Sequence, residues 1–494
     1  MQLKLPFSLE VLERTPPEVI AFLRTQQEEI GTLEQENARL KHRLADLQAR
    51  LARLDERLRQ DSTNSSKPPS SDPPSRPKPN RRRPPSGRRR GGQPGHAFAD
   101  RPLLPLEEVS AIVPVKPSHC EHCHAPLRGD DPEPEIRQIT EIPPLIAHTT
   151  EYQRHCLVCS KCGEATEADW PEDLPSRSFG PRLQAWIAAC VGLYRLSKRQ
   201  TQQLLQDCFG IDISLGAIAD LEQATSQALA DPVAAAQEYV QQQGAVHVDE
   251  TGWREGDTKP WLWTVATALV TIFVIRPSRG ARVLGALLGH AFAGFVHSDR
   301  WSAYRLVPLH RRQLCWAHLR RDWQAFCDRG GTSKRLGQRL LVLTDQMFTW
   351  WQRVRDGTMA RWEFRIRMRP VMQEVGALLR QGKRCAQPQT RGTCADILSL
   401  EAALWTFVFH EGLEPTNNAA ERALRHWVLW RKTSGGTKAT AGTLWMERLM
   451  TTVTTLRQQQ RNVLDYLTAA CAAKMHGTPA PSLLPDAPAA ALAG

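Results

Sequence analysis

The stretch AVHVDETGWR, residues 245–254, followed closely by WLWTVATALVTIFVI, residues 261–275, decides the fold class. The first is a short apolar strand that ends in Asp249. The second is the longest apolar run in the chain and falls short of the ~20 residues a membrane-spanning helix needs. Its threonines and β-branched residues predict one or two buried strands, although no Gly or Asn marks a turn between them. Reading onward, RVLGALLG (282–289) predicts a helix, and FAGFVHSD (292–299) predicts another buried strand, ending in Asp299. RQLCWAHLRRDW (312–323) runs from a strand into a helix, residues 331–410 are helical in pattern, and EPTNNAAERALRHWV (414–428) opens a helix that carries Glu421. Strands interleaved with helices make this half of the chain α/β.

Two aspartates at the ends of neighbouring strands and a glutamate on a later helix can converge on one point. Carboxylates so placed repel one another unless cations lie between them. Paired divalent ions about 4 Å apart activate an attacking oxygen and stabilise a leaving one in phosphoryl transfer, and oxygen-only ligands suit magnesium or manganese. Three acids among 52 carry little weight by themselves, because solvated strand-end aspartates are common. Cys315-x2-His318 is either a second metal pair or a strand-to-helix junction that packs the core, and the junction is the expectation. His297 is expected to pack behind Asp299 rather than ligate, and Asn417 and Asn418 to shape the turn into the glutamate's helix, Asn being a good N-cap. Arg254, Arg300, Arg422 and Arg425 stand beside the acids in sequence, as candidate contacts to DNA phosphates or as ordinary surface arginines.

Working outward, the 494 residues carry 41% hydrophobic and 23% charged side chains, which excludes wholesale disorder. The net charge of +12 is concentrated: residues 61–101 hold ten Lys or Arg against three Asp, whereas residues 1–60 balance ten against ten. Nine prolines, clustered serines and two arginine triplets (Arg81, Arg82, Arg83 and Arg88, Arg89, Arg90) make 61–101 an extended basic linker that cannot bury enough apolar surface to order itself. Its arginines suit phosphate contacts, which release counterions and make binding salt-dependent; a merely solubilising tether is the alternative. Upstream, Ile30, Asn37, Leu44, Leu51 and Leu58 fall at one heptad position and Leu33, Leu40, Leu47 and Leu54 at the other. This seam predicts a coiled coil, with self-association through residues 27–58 and a polar Asn37 favouring two strands in register. An amphipathic helix folded back on its own chain is the other possibility. No apolar segment suggests a secretory signal, and the scattered cysteines suit a reducing cytoplasm.

Cys120-x2-Cys123 and Cys159-x2-Cys162 are two knuckles separated by 35 residues, the spacing of a structural zinc site. His119, His122 and His124 crowd the first knuckle, and Cys156 offers an alternative register with Cys159, so the ligand set stays open. Beyond, Leu196 to Phe209 reads as an amphipathic helix stopped by Gly210, with Ser214 capping a second helix through Leu221. This is compatible with a helix-turn-helix DNA-binding unit and equally with any helical hairpin.

VDETGWR (248–254), HSDRWSAY (297–304), CWAHLRRD (315–322) and PTNNAAERALRHWV (415–428) together resemble the DDE transposases of the insertion-sequence-66 family. STNSSKPPSSD (62–72) and GGQPGH (91–96) resemble its linker signatures, the paired knuckles its zinc-binding domain, and residues 431–467 its C-terminal region. The resemblance runs in order over about residues 25–470. It implies a ribonuclease-H-like catalytic core in which Asp249, Asp299 and Glu421 hold Mg²⁺ or Mn²⁺, together with structural Zn²⁺. It also implies hydrolysis at each end of a bacterial insertion element, followed by attack of the released 3′-hydroxyl on target DNA. The matching partners are double-stranded DNA (terminal inverted repeats and target) and companion proteins of the same element.

The organisation expected is therefore multidomain α/β + α. It comprises a coiled-coil helix (1–60), the basic linker (61–101), a zinc-binding domain (102–175), a helical segment (176–243), a DDE core (244–432) with a helical insertion (331–410), a C-terminal helical region (433–472) and a disordered tail (473–494). The competing expectation is a non-catalytic, zinc-containing DNA-binding regulator derived from a transposase. Either is expected to be cytoplasmic, without a membrane segment.

Overall fold

The computed structural model describes residues 16–59, 102–171, 174 and 177–485. The linker 61–101, with both arginine triplets, lies outside the described residues. Helix α1 (Pro17–Arg59) is continuous, as the uninterrupted heptad requires. Its seam residues Ile30, Leu33, Leu40, Leu44, Leu47, Leu51 and Leu54 are all exposed, so the apolar stripe lies bare.

Residues 102–171 are mostly irregular. The hairpin of β1 (Cys156–Val158) and β2 (Ala165–Glu167) pairs antiparallel, with Cys156 opposite Glu167. Val115, Ile139 and Ile146 are among many apolar side chains here that stay exposed.

Five helices precede the main sheet: α1, then α2 (Pro181–Ala188, continued as a π-turn through Leu193), α3 (Lys198–Phe209), α4 (Leu215–Ala228) and α5 (Ala230–Gln241). Ser197 and Gln200 form a reciprocal capping box at the start of α3, Gly210 ends it at φ 65°, and the Ser214 hydroxyl accepts from Ala217 N to open α4. Stop and cap fall where the sequence placed them, with the helix starting two residues later than Leu196. Ile187, Leu205, Ile213, Ile218 and Leu221 form this hairpin's own small core.

The sheet is mixed, in the order β5-β4-β3-β6-β7. β3 (Ala245–Gly252), β4 (Trp261–Ala266) and β5 (Thr271–Arg276) form an antiparallel meander, while β6 (Phe295–Ser298) and β7 (Arg312–Leu314) join β3 in parallel. The long apolar run is thus two strands. Their turn uses neither Gly nor Asn: the Thr267 hydroxyl donates to Val270 O and accepts from Val270 N, replacing the missing turn residue. Helix α6 (Ala281–Leu288) connects β5 to β6 and buries Leu284, Leu287 and Leu288.

After β7 the chain builds a second helical layer from α7 (Trp316–Asp328), α8 (Gly331–Arg355), α9 (Arg361–Gly382), α10 (Pro388–Ser399) and the short α11 (Glu401–Leu404) and α12 (Thr406–Phe409). Its core begins at Leu314 and Trp316, ahead of residue 331, because Trp316, Leu319, Trp323 and Phe326 pack with Leu340, Met347, Phe364 and Phe407. Helices α13 (Asn418–Ser434) and α14 (Thr440–Gln458) then return to the sheet, and α15 (Val463–Met475) packs on α2 and α4.

Helix α14 covers the open edge of β5. Glu447 Oε1, Thr451 Oγ1 and Thr455 Oγ1 accept from the backbone N–H of Ile275, Phe273 and Thr271 at 2.6, 3.0 and 3.1 Å. Four residues of helix rise about 6 Å and two residues of strand about 6.6 Å, so an i, i+4, i+8 stripe matches alternate strand positions. The tail departs from the disorder expected over 473–494: Leu483 is buried in the main core, and the Tyr466 hydroxyl donates to Pro481 O. Leu483, with Leu484 packed beside it and with Gln459 and Arg461 donating to the carbonyls of Leu483 and Ser482, ties the segment to the core; residues 486–494 lie outside the described ones. No helix among the described residues is long and apolar enough to cross a membrane.

Candidate functional site: an acidic cluster at the strand ends

His247 on β3 is in register with His297 on β6, and their rings stack at 4.0 Å with 16° between planes. Asp249 and Asp299 lie two residues beyond this pair, Asp249 within β3 and Asp299 directly after the end of the parallel, adjacent β6. Because side chains alternate along a strand, each aspartate follows its histidine on the same side of the sheet. Both histidines stay neutral. Burial lowers His247 to about 4 and, with His247 beside it, pushes His297 well below the ordinary imidazole range. Glu414 N donates to His297 Nε2, and His297 Nδ1 lies 3.3 Å from Val246 O, so the ring is held by backbone as the packing residue expected.

Glu421 lies in the first turn of α13, where the helix dipole favours a carboxylate. Asn417 precedes that helix but does not cap it with its side chain, which corrects the expected role. Its Nδ2 donates instead to Val248 O at 2.7 Å, its Oδ1 lies 3.3 Å from His247 Nδ1, and its backbone N–H donates to Cys315 Sγ. Fully buried, Asn417 pins the start of α13 to β3 one residue before Asp249. Burial, then Glu250, Glu421 and Asp299 in that order, push the Asp249 carboxyl well above its usual range. The three carboxylates are near enough to repel one another, although the structure does not gather their oxygens within 4.8 Å as it does the ligand atoms of Glu421, Cys315 and His318.

Glu250, next to Asp249, is resolved differently. Its side chain is fully buried, accepts from Arg279 Nε at 2.6 Å and from the Tyr304 hydroxyl, and pairs with Arg279 Nη2 at 2.5 Å. Arg279 also stands 3.7 Å from Asp299 and lies between the rings of Trp261 (4.8 Å) and Trp301 (4.1 Å). A cavity of about 360 Å³ opens at Arg279, Gly280, Trp301 and Ser302. Arg279 and Tyr304 escaped the sequence reading. Trp301 and Tyr304 sat inside a quoted motif, but nothing in the local sequence singles out Arg279.

Cys315 and His318 bring a second set of atoms to Glu421. Cys315 Sγ is 4.0 Å and His318 Nδ1 3.4 Å from Glu421 Oε1. Among the described residues these three form the one group of three or more potential ligands within 4.8 Å of one another, a mixed set suited to a softer ion. Burial raises the Cys315 thiol to about 12 and lowers His318 to about 3, so without an ion both are neutral neighbours of the carboxylate. The junction also packs as expected, with Trp316 N donating to Pro415 O.

The arginines divide. Arg300 is committed internally, to Asp322 at 2.9 Å and to Asp396 on α10. Arg254, Arg422 and Arg425 are exposed. Arg312 on β7 is fully buried with only Nη2 bonded, to Asp299 O at 3.3 Å; its Nε and Nη1 lack partners among the described residues.

The two cysteine knuckles have one shape. In each, the first cysteine's N–H bonds to the carbonyl five residues on and its carbonyl accepts from the N–H four residues on, with a left-handed residue there (His124, φ 57°; Gly163, φ 77°). Backbone N–H groups of Cys123 and His122 lower the Cys120 thiol, as those of Cys162 and Lys161 lower Cys159. Each loop is shaped to favour thiolate, but the structure does not gather three or more of Cys120, Cys123, Cys159 and Cys162 within 4.8 Å, and Cys156 stays on β1.

Compared with known families, residues 177–444 match the sequence model described as Transposase IS66 family, and residues 14–102 match one described only as a family of unknown function. The first match covers just over half of the chain and contains the whole acidic cluster. No curated protein matches.

Proposed function

Because the chain belongs to the IS66 family of transposases, we propose that it cuts and joins DNA at Asp249, Asp299 and Glu421. The observation that supports this is that Asp249 and Asp299 each follow by two residues a histidine of the stacked, in-register pair, with Asn417 tying the start of the Glu421 helix to β3. A mixed sheet with an antiparallel meander and two parallel strands supports a ribonuclease-H-like core.

The oxygen donors and the unrelieved repulsion at Asp249 fit divalent magnesium or manganese. Such ions, when bound, activate the attacking oxygen and stabilise the leaving one. The chain's own part is to aim the carboxylates: the histidine stack fixes the strand ends, Arg279 pairs with Glu250 and offsets part of the repulsion that Glu250 exerts on Asp249, and Asn417 ties the start of the Glu421 helix to β3. Arg254 and Arg425 are assigned to phosphates near the scissile bond, Arg422 to a phosphate farther along the DNA, and the linker arginines to flanking DNA.

Zinc is assigned to Cys120, Cys123, Cys159 and Cys162. The thiolate-favouring loops support it, and the exposed apolar residues of 102–171 explain the need for it, since this segment holds almost no core of its own. The bare heptad stripe of α1 supports pairing of two chains, which brings two element ends together.

The test is strand cleavage and transfer on DNA carrying terminal repeats, with magnesium, with manganese and with chelator, beside Glu421→Ala. Metal-dependent products lost in the variant are expected. Binding without products, even with the element's companion proteins added, would favour a regulator that has kept the fold without the chemistry.

A further inference from the structure

Helix α13 has a second polar face. Ala419, Arg422, Ala423 and His426 repeat at i, i+3, i+4 and i+7, on the side of the helix turned away from Glu421. They line a cavity of about 490 Å³ closed by Thr267 and Ala268 of the β4–β5 turn and by Arg457 and Gln458 of α14. Among the described residues, no carboxylate lines it.

Three features mark it as built to receive an anion. Arg195, Arg422 and Arg457 have no ion pair or hydrogen bond among the described residues, and the first and last are close enough to His426 to lower its pKa, after burial. The His426 ring is held by the Leu193 backbone, and among the described residues its Nε2 atom is buried without a partner. Arg195 is also held at φ 67°, a left-handed conformation rare for a residue with a Cβ. It follows a π-turn that approaches α14 so closely that a Cβ at Gly192 would lie 2.0 Å from Leu449 Cδ2. The backbone is strained beside this pocket, and Arg195, which stands outside the lining itself, is near enough for its charge to act on His426.

We propose that Arg195, Arg422, His426 and Arg457 form a phosphate-binding pocket behind α13, and that it holds a backbone phosphate of DNA running past the reverse side of the helix that carries Glu421. This rests on the transposase reading only for the identity of the ligand as DNA. A clamp on both faces of α13 would let DNA occupancy steady the helix whose first turn bears the carboxylate.

The experiment measures binding of the full-length protein to a fluorescent DNA duplex three helical turns long, across a range of sodium chloride concentrations and without divalent metal. Arg195→Gln and Arg457→Gln are compared alone and together; both side chains are exposed and unpaired, so melting temperatures are expected to hold. The double variant is expected to bind about tenfold more weakly, the worth of one charge-assisted hydrogen bond, and to lose about 0.9 from the slope of log K against log salt, one phosphate's share. Unchanged affinity and slope would overturn the pocket while leaving the chemistry at Asp249 intact, which the cleavage assay reads separately. Inorganic phosphate that raises the melting temperature of the wild type alone, with DNA slopes equal, would make it a small-anion site and overturn the assignment to DNA.

Discussion

His318 Nδ1 lies 3.4 Å from Glu421 Oε1, joining the first turn of α7 to the first turn of α13. With its pKa lowered to about 3 by burial, His318 is a neutral neighbour of this carboxylate, and its Nδ1 has no hydrogen-bond partner among the described residues, which leaves it open to share an ion with Glu421. Replacing His318 by Ala is expected to weaken manganese binding about 10- to 100-fold, as loss of a group beside a metal ligand does, with Gln recovering part of it. Isothermal titration would show this; equal affinity in all three proteins would disconnect His318 from the metal site.

Asn417→Ala removes two side-chain bonds from a fully buried residue and strands Val248 O. A loss of about 2–4 kcal/mol is expected, read by denaturant unfolding, together with a fall in cleavage out of proportion to the unfolded fraction. Stability lost with full activity in the folded population would leave Asn417 a packing residue only.

Arg300 separates two expectations. Its charge is held by Asp322 and Asp396, with its side chain 22% exposed, so Arg300→Gln should destabilise the fold by about 3–5 kcal/mol by leaving carboxylates unpaired. The salt slope of DNA binding should not change. The opposite pattern, a stable protein with a shallower slope, would return Arg300 to the DNA-contacting set.

Asp249→Asn removes one charge from the cluster. The folded-state pKa of Asp249 is raised by burial and by Glu250, Glu421 and Asp299, so the ionised form opposes folding at neutral pH. The metal-free variant should therefore melt higher than the wild type, and the further rise that magnesium or manganese gives the wild type should vanish. A lower melting temperature in chelator would contradict the repulsion.

Acid acts on the histidine stack in the reverse sense. His247 and His297 have folded pKa values below the unfolded 6.5, so the unfolded chain binds protons that the fold refuses. Stability is complete above about pH 6.5 and falls as pH drops toward 4, by at most about 1.4 kcal/mol per pH unit for each histidine. Denaturant midpoints across this window, with His247→Phe beside the wild type, measure it; the variant should lose the steeper part of the slope.

The strands, the site-bearing helix and the helix stops were legible because local rules set them. Gly210 and Ser214 do their work within a turn, and the apolar runs at 246–248, 261–275 and 295–298 need no distant partner to be read as strands. What stayed hidden depends on long-range convergence. Arg279 acts on Glu250 and Asp299 only because β4 and the loop after β6 put Trp261 and Trp301 on either side of it. Asn417 looked like a cap, and tertiary structure offered its amide a better acceptor in Val248 O. Leu483 lay in an Ala- and Pro-rich tail, where its burial and the contacts beside it outweighed composition.

Val248 and Asn417 meet across 169 positions of chain. Closing so long a loop costs about 4–5 kcal/mol in entropy beyond a constant, unless the intervening chain draws its ends together first. The helical layer does so: Thr406 Oγ1 donates to Arg312 O, and Phe407 N donates to Gln313 Oε1, which shortcuts 94 of those positions. A ribosome delivers the chain in order, and domains fold as they emerge. The newborn protein therefore exposes its heptad, basic linker and knuckles, then both aspartate strands, well before α13 can dock. Whatever chemistry the carboxylates perform is withheld until α13 has been made and docked, so a chain stopped before residue 418 carries both aspartates but lacks the last acid.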